Sequence, residues 1–103
     1  MSAIAILGIA NEVVLLRHRL DVTATEETPV GTFWRGRWGE REVVLAQCGI
    51  GKVNAAMAAQ WLIDHYAPDL LINCGSSGAI APQLRVGDVV IADRVVPHDA
   101  GVY

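Results

Sequence analysis

The chain has 103 residues, enough for one domain and no more. With 52% hydrophobic and 18% charged residues it is not a disordered chain, which needs low hydrophobicity and high charge. A net charge of −3 supplies no basic face, so nucleic acid is not an expected partner. A domain this small buries only about 60–65% of the surface its unfolded chain exposes. So apolar a chain is therefore expected to assemble with something, or to be part of a larger fold.

The first apolar run, Ser2 to Ala10, lacks a preceding positive segment and is closed by Glu12. It is far short of the ~20 residues of a membrane span, so residues 3–8 are predicted to form a buried strand ending at Gly8. Asn11 offers an N-cap, Glu12 suits the first helical turn, and Val13, Leu16 and Leu20 form one stripe, predicting a helix over about 11–20. Residues 21–29 read as a polar connection. Val30–Arg37, a turn at Gly39, and Glu42–Cys48 read as a hairpin whose second strand lies inside a sheet. Arg35, Arg37 and Arg41 fall on its solvated face. Gly49-Ile50-Gly51 breaks that strand and residues 52–66 follow as a helix, apolar nearly all round and so expected to be buried on more than one side. Pro68 stops it. Residues 70–74 read as another buried strand, Gly75 to Arg85 as loop, and 86–93 as a turn and a final strand.

The order β-α-β-β-α-β-β indicates an α/β sheet with helices on its faces. Ligands bind such sheets at the C-terminal ends of the strands. Three segments fall there: Gly8–Glu12, Gly49–Lys52 and Gly75–Gly78. Gly49-Ile50-Gly51-Lys52 is not a P-loop, because Ala46 stands where the first glycine belongs and Val53 where the magnesium-binding hydroxyl belongs. Asn54 likewise breaks the dinucleotide-binding pattern. A strand-to-helix turn with free backbone N–H groups remains, able to face a polar ligand or simply to turn. Gly75-Ser76-Ser77-Gly78 allows close approach of backbone and hydroxyls, or is only a tight turn; it does not match the hydrolase elbow G-x-S-x-G. Glu12 by itself fits a helix-dipole carboxylate as well as a catalytic one. His98-Asp99 fits a base with its orienter, or a surface turn. His18, His65 and His98 lack zinc-site spacing, so neither metal nor cofactor is expected. Cys48 and Cys74, each in an apolar run without a C-x-x-C pair, read as reduced thiols of a cytoplasmic protein.

Five ordered blocks carry a resemblance. They are Glu12-Val13-Val14-Leu15-Leu16, Gly49-Ile50-Gly51-Lys52-Val53-Asn54-Ala55-Ala56, Ile72-Asn73-Cys74-Gly75-Ser76-Ser77-Gly78, Val86-Gly87-Asp88-Val89-Val90 and His98-Asp99-Ala100. The chain resembles bacterial 5′-methylthioadenosine/S-adenosylhomocysteine nucleosidases of the nucleoside phosphorylase superfamily, along its whole length. The resemblance implies a three-layer α/β/α sandwich, here about half of the usual domain, with residues 1–103 as its N-terminal portion. It implies hydrolysis of the N-glycosidic bond of adenine thionucleosides and a small purine nucleoside as partner.

By the same resemblance Glu12 would hold the attacking water, Ser76 would sit by ribose and water, and Ser77 and Gly78 would line the purine side. Ile50 would contact the 5′-alkylthio group, and Val102 would reach a neighbouring subunit's 5′ pocket in a homodimer. The superfamily's phosphorylases bind phosphate through arginines; here Gly8–Glu12 holds none and Asn73 is neutral, which favours water as nucleophile. Family members are longer, and their second half carries the group that protonates the departing adenine. Little or no activity is therefore expected of these 103 residues alone. A phosphorylase-like fragment and a non-catalytic, truncated assembly module are the alternatives.

Overall fold

The computed structural model describes residues 3–97. Its elements are β1 (Ala3–Gly8), α1 (Ala10–Arg19), β2 (Asp21–Thr28), β3 (Gly31–Trp38), β4 (Arg41–Gln47), α2 (Lys52–Tyr66) and β5 (Leu70–Asn73). The strands form one sheet in the order β2-β3-β4-β1-β5. β4, β1 and β5 run parallel, while β2, β3 and β4 form an antiparallel meander.

The period of two in the central strands explains the layering. In β1, Ala5 and Leu7 point to one face and Ile6 to the other. In β4, Val44 and Ala46 oppose Val43 and Leu45, and in β3 Phe33 opposes Trp34. The first set packs with Ala58 and Leu62 of α2, the second with Val13 of α1 and with Leu20 at its C-terminal end. The unbroken apolar run of β4 is thus two half-cores read alternately, and the sheet lies between the helices as the middle of three layers. Phe33, Leu45, Leu62, Val13, Val43 and Val44 are its largest fully buried side chains.

Polar contacts fasten the margins. The Arg17 guanidinium lies 5.2 Å from the centre of the Trp34 ring. Trp38 Nε1 donates to the Arg19 carbonyl at the end of α1 (3.0 Å). Tyr66, the last residue of α2, donates to Glu26 of β2 (2.5 Å) with Arg35 stacked on its ring. Burial first, and the Glu26 hydrogen bond second, push its hydroxyl up to about 12.

Five expectations need correction. Residues 21–28 form strand β2 rather than a connection: the whole strand lies on the exposed edge, with Val22, Thr23, Thr25 and Thr28 supplying β-branched residues between the acids. The N-cap of α1 is Ile9, not Asn11. Helix α2 buries one face only; Val53, Met57 and Ile63 on its other sides are about half or more exposed. β5 is an edge strand with Leu70 and Ile72 exposed, and residues 86–93 keep the predicted turn but form no strand. The observed order is therefore β-α-β-β-β-α-β. No helix among the described residues is long and apolar enough to cross a membrane.

Leu62 is fully buried beneath the sheet, whereas Leu15 of α1 is 72% exposed. Leu62→Ala is expected to lower unfolding free energy by about 2–5 kcal/mol, and Leu15→Ala by less than about 0.5 kcal/mol, as read from chemical denaturation midpoints.

Candidate active site

The three parallel strands β4, β1 and β5 end on the same side of the sheet. β1 lies between the other two, and the chain leaves it toward β4 on one side and returns at β5 on the other. That is the switch point at which an open α/β sheet forms a crevice. The strand exits are tied together there: Cys48 N–H donates to the Gly8 carbonyl (2.9 Å) and Cys74 N–H to the Leu7 carbonyl (2.8 Å). Gly8 must be glycine, since a Cβ would stand 2.5 Å from the Cys74 carbonyl oxygen and 3.1 Å from Val13.

This close approach delivers Glu12, in the first turn of α1, to the segment leaving β5. Glu12 Oε1 accepts the Ile9 N–H (3.0 Å), the returning half of a capping box. Glu12 Oε2 accepts both the Ser76 N–H (2.8 Å) and the Ser76 hydroxyl (3.1 Å). The Ile9 bond is the strongest influence on the carboxyl. Together with the two Ser76 bonds it outweighs partial desolvation and holds Glu12 below the ordinary value of 4.5. Glu12 is therefore ionised at neutral pH.

A cleft of about 400 Å³ opens beside this carboxylate. Ile9, Glu12, Cys48, Ile50, Asn73 and Ser76 are among the residues lining it, so all three strand-end segments contribute. Burial pushes the Cys48 thiol up, and the nearby Glu12 charge adds to the effect, so Cys48 is a neutral wall and not a nucleophile. A second depression, about 310 Å³ on the meander, is lined by Thr23, Arg35, Arg37 and Glu42. Both its arginines are already engaged: Arg35 pairs with Glu42 (3.2 Å), and Arg37 donates to the backbone carbonyl of Glu40 (2.6 Å).

Of the residues singled out in the sequence, the structure brings Glu12 and Ser76 into direct contact and sets Ile50 in the same cleft. Ser77 and Gly78 are exposed and do not line it. Val102 and His98-Asp99 lie outside the described residues. Sequence reasoning passed over the Ile9 N–H, which anchors the carboxylate, and Cys48 as part of the cleft lining, whereas Asn73, singled out there as the neutral residue at the arginine position of phosphorylases, does line the cleft. The spacing of Ile9 from Glu12, that of a cap and its third helical residue, was the available signal for the first. Among the described residues no group of three or more His, Cys, Asp or Glu side chains could hold a metal ion.

The family model described as "Phosphorylase superfamily" matches residues 2–103. The chain is 47% identical over 104 residues to a 5′-methylthioadenosine/S-adenosylhomocysteine nucleosidase of Geobacillus kaustophilus, covering 99% of this chain and 43% of the relative. A crystal structure of such a nucleosidase from Neisseria meningitidis with methylthio-immucillin-A superposes with a TM-score of 0.79 at 36% identity, over 85% of this chain and 38% of that one. The Colwellia psychrerythraea nucleosidase in complex with adenine gives 0.77 at 39% identity, over 85% of this chain and 36% of that one. The chain spans about two fifths of the length of the curated relatives it matches.

Because its pKa is depressed in the folded protein, ionised Glu12 adds stability that is present above the unfolded glutamate pKa and is lost as pH falls through the folded one. Between about pH 7 and about pH 3, Glu12→Gln is therefore expected to lose less stability than the wild type in parallel urea titrations. Ser76→Ala, which removes the hydroxyl bond but keeps the N–H bond, is expected to raise the carboxyl midpoint seen by NMR part of the way toward 4.5.

Proposed function

Because the chain belongs to the phosphorylase superfamily, we propose that it forms the water side of a nucleosidase site, one that hydrolyses the N-glycosidic bond of adenine thionucleosides such as methylthioadenosine and adenosylhomocysteine. The observation that carries this reading is the ionised Glu12 carboxylate, fixed from two sides at the floor of a cleft. A carboxylate has about four lone-pair sites. Ile9 and Ser76 occupy three of them, which leaves one, on Oε1, to accept a hydrogen bond from water.

The chemistry follows from that free site. Water bound to Oε1 is held with its oxygen lone pair turned away from the carboxylate, toward the anomeric carbon of a ribose in the cleft. As the bond to adenine breaks, positive charge gathers on the sugar, and a fixed negative charge stabilises it without reorganising. The water oxygen then bonds to the anomeric carbon while its proton passes to Glu12. Ser76 is the positioning residue that prevents the carboxylate from turning aside. In this reading Ile50 faces the 5′-alkylthio group, and Ser77 and Gly78, which lie just beyond the cleft lining, meet the purine where it extends past Ser76. Val102 serves the 5′ pocket of the partner in a homodimer. The protein works in the cytoplasm, where its two unpaired cysteines remain thiols.

Water suits this cleft better than phosphate. Glu12 repels a phosphate dianion, and although Lys52 lines the cleft as a single point charge, the lining residues include no arginine to offer a bidentate fork. Glu12 is also the only carboxyl group among them, so protonation of the departing adenine needs a group from elsewhere. Release of adenine by these residues alone is for that reason expected to be weak.

The test is adenine release from methylthioadenosine, with and without phosphate, by the chain alone and by the chain joined to the C-terminal part of a curated relative. The joined protein is expected to release adenine equally with and without phosphate. Glu12→Gln is expected to lower its rate at least about a hundredfold. Release that requires phosphate would instead identify a phosphorylase. No release from a folded, oligomeric protein would identify an assembly module.

A further inference from the structure

Ile50 raises a question of positioning. It lines the cleft, yet it is 80% exposed, so side-chain packing does little to hold it. Its location depends on its backbone, in a loop between β4 and α2 whose Gly51 has a left-handed φ of 97°. One side chain braces that loop. Asn54, in the first turn of α2, donates from Nδ2 to the Ile50 carbonyl (2.8 Å). The same amide fills the space beside Gly49: a Cβ there would stand 2.8 Å from Asn54 Nδ2 and 3.0 Å from its Cγ. Asn54 thus fits under two consecutive loop residues, one by a hydrogen bond and one by shape.

We propose that Asn54 is a specificity-determining positioning residue: through the Ile50 carbonyl and the hollow at Gly49 it sets where Ile50 meets the 5′ substituent of the nucleoside. The inference rests on the reading of the site as a thionucleoside pocket and adds to it the residue that fixes the apolar end. The 5′-alkylthio group is neutral and apolar, so it is recognised by contact area alone. A small shift of Ile50 reduces that area, whereas contacts to the ribose and water at Glu12 and Ser76, and to the base beyond them, are unaffected. Removing the brace should therefore weaken discrimination between methylthioadenosine and adenosine, which lacks the alkylthio group, and spare binding common to both.

The experiment compares calorimetric dissociation constants of methylthioadenosine and adenosine for the full chain and its variants. Asn54→Asp is nearly isosteric and keeps a side chain favourable to a helix N-terminus, but it replaces the donor with an acceptor facing the Ile50 carbonyl. It is expected to reduce the preference for methylthioadenosine about three- to tenfold, the worth of one hydrogen bond, with adenosine affinity changed less than twofold. Gly49→Ala, which drives a methyl into the amide, is expected to act in the same direction. Combined with Asn54→Ala, which vacates the space, it should add little to the effect of Asn54→Ala alone. Equal weakening of both ligands, or additive effects in the double variant, would assign Asn54 a purely structural role and overturn the inference while leaving the pocket reading intact. A wild type that does not prefer methylthioadenosine would overturn the pocket reading, and this inference with it.

Discussion

The Glu12 carboxylate joins two parts of the chain that are 64 residues apart in sequence. One oxygen closes the start of α1 on Ile9, and the other accepts two bonds from Ser76, just beyond β5. Those three bonds are possible because β1 ends in a residue without a Cβ, which lets the Cys74 carbonyl pass against the strand end. A methyl at that point would separate the β5 exit from α1 and break the clamp. The order of the sheet has the same consequence at larger scale, since only a strand flanked by parallel neighbours reached from opposite sides presents such a crevice. Fold and site thus depend on one tight crossing.

The clamp also decides what the carboxylate can do. Hydrogen bonds to its charged form depress its pKa, which makes it a weaker base that is anionic at neutral pH. Such an anion beside a cleft suits a reaction in which positive charge develops first and a proton is accepted afterward. It does not suit one in which a strong base must deprotonate a reluctant acid. The neutral Cys48 thiol and the apolar Ile50 leave Glu12 as the one anionic group lining the cleft, with Lys52 as its cationic counterpart.

Much of this was legible in the sequence, for identifiable reasons. β1, β4 and α2 were found within a residue or so because apolar runs bounded by Gly or Pro reflect burial directly. The grouping of Gly8–Glu12, Gly49–Lys52 and Gly75–Gly78 at one end of a sheet followed from strand direction alone. β2 was missed because an edge strand needs no apolar face; its signal was the β-branched Val22, Thr23, Thr25 and Thr28, set among acids that read as loop. Residues 86–93 failed in the opposite way. Val89, Val90 and Ile91 have strand-like side chains, but a strand also needs a neighbour for its backbone, and the sequence does not report one. Asn11 looked like a cap by residue type, while the cap that forms at Ile9 is made by the Glu12 side chain reaching back to a backbone N–H. Ser77 and Gly78 share a motif with Ser76 but lie just beyond the residues that line the cleft.

The central claim is that Glu12, clamped by Ile9 and Ser76, holds a water against the sugar of a bound nucleoside. A crystal structure of the chain with methylthio-immucillin-A tests it most directly. The account predicts the ligand in the cleft at the ends of β1, β4 and β5, the Ser76 bonds to Glu12 intact, and an ordered water on Glu12 Oε1 facing the ring. A ligand bound elsewhere, or a Glu12 side chain released from Ser76 to contact the ligand directly, would contradict it.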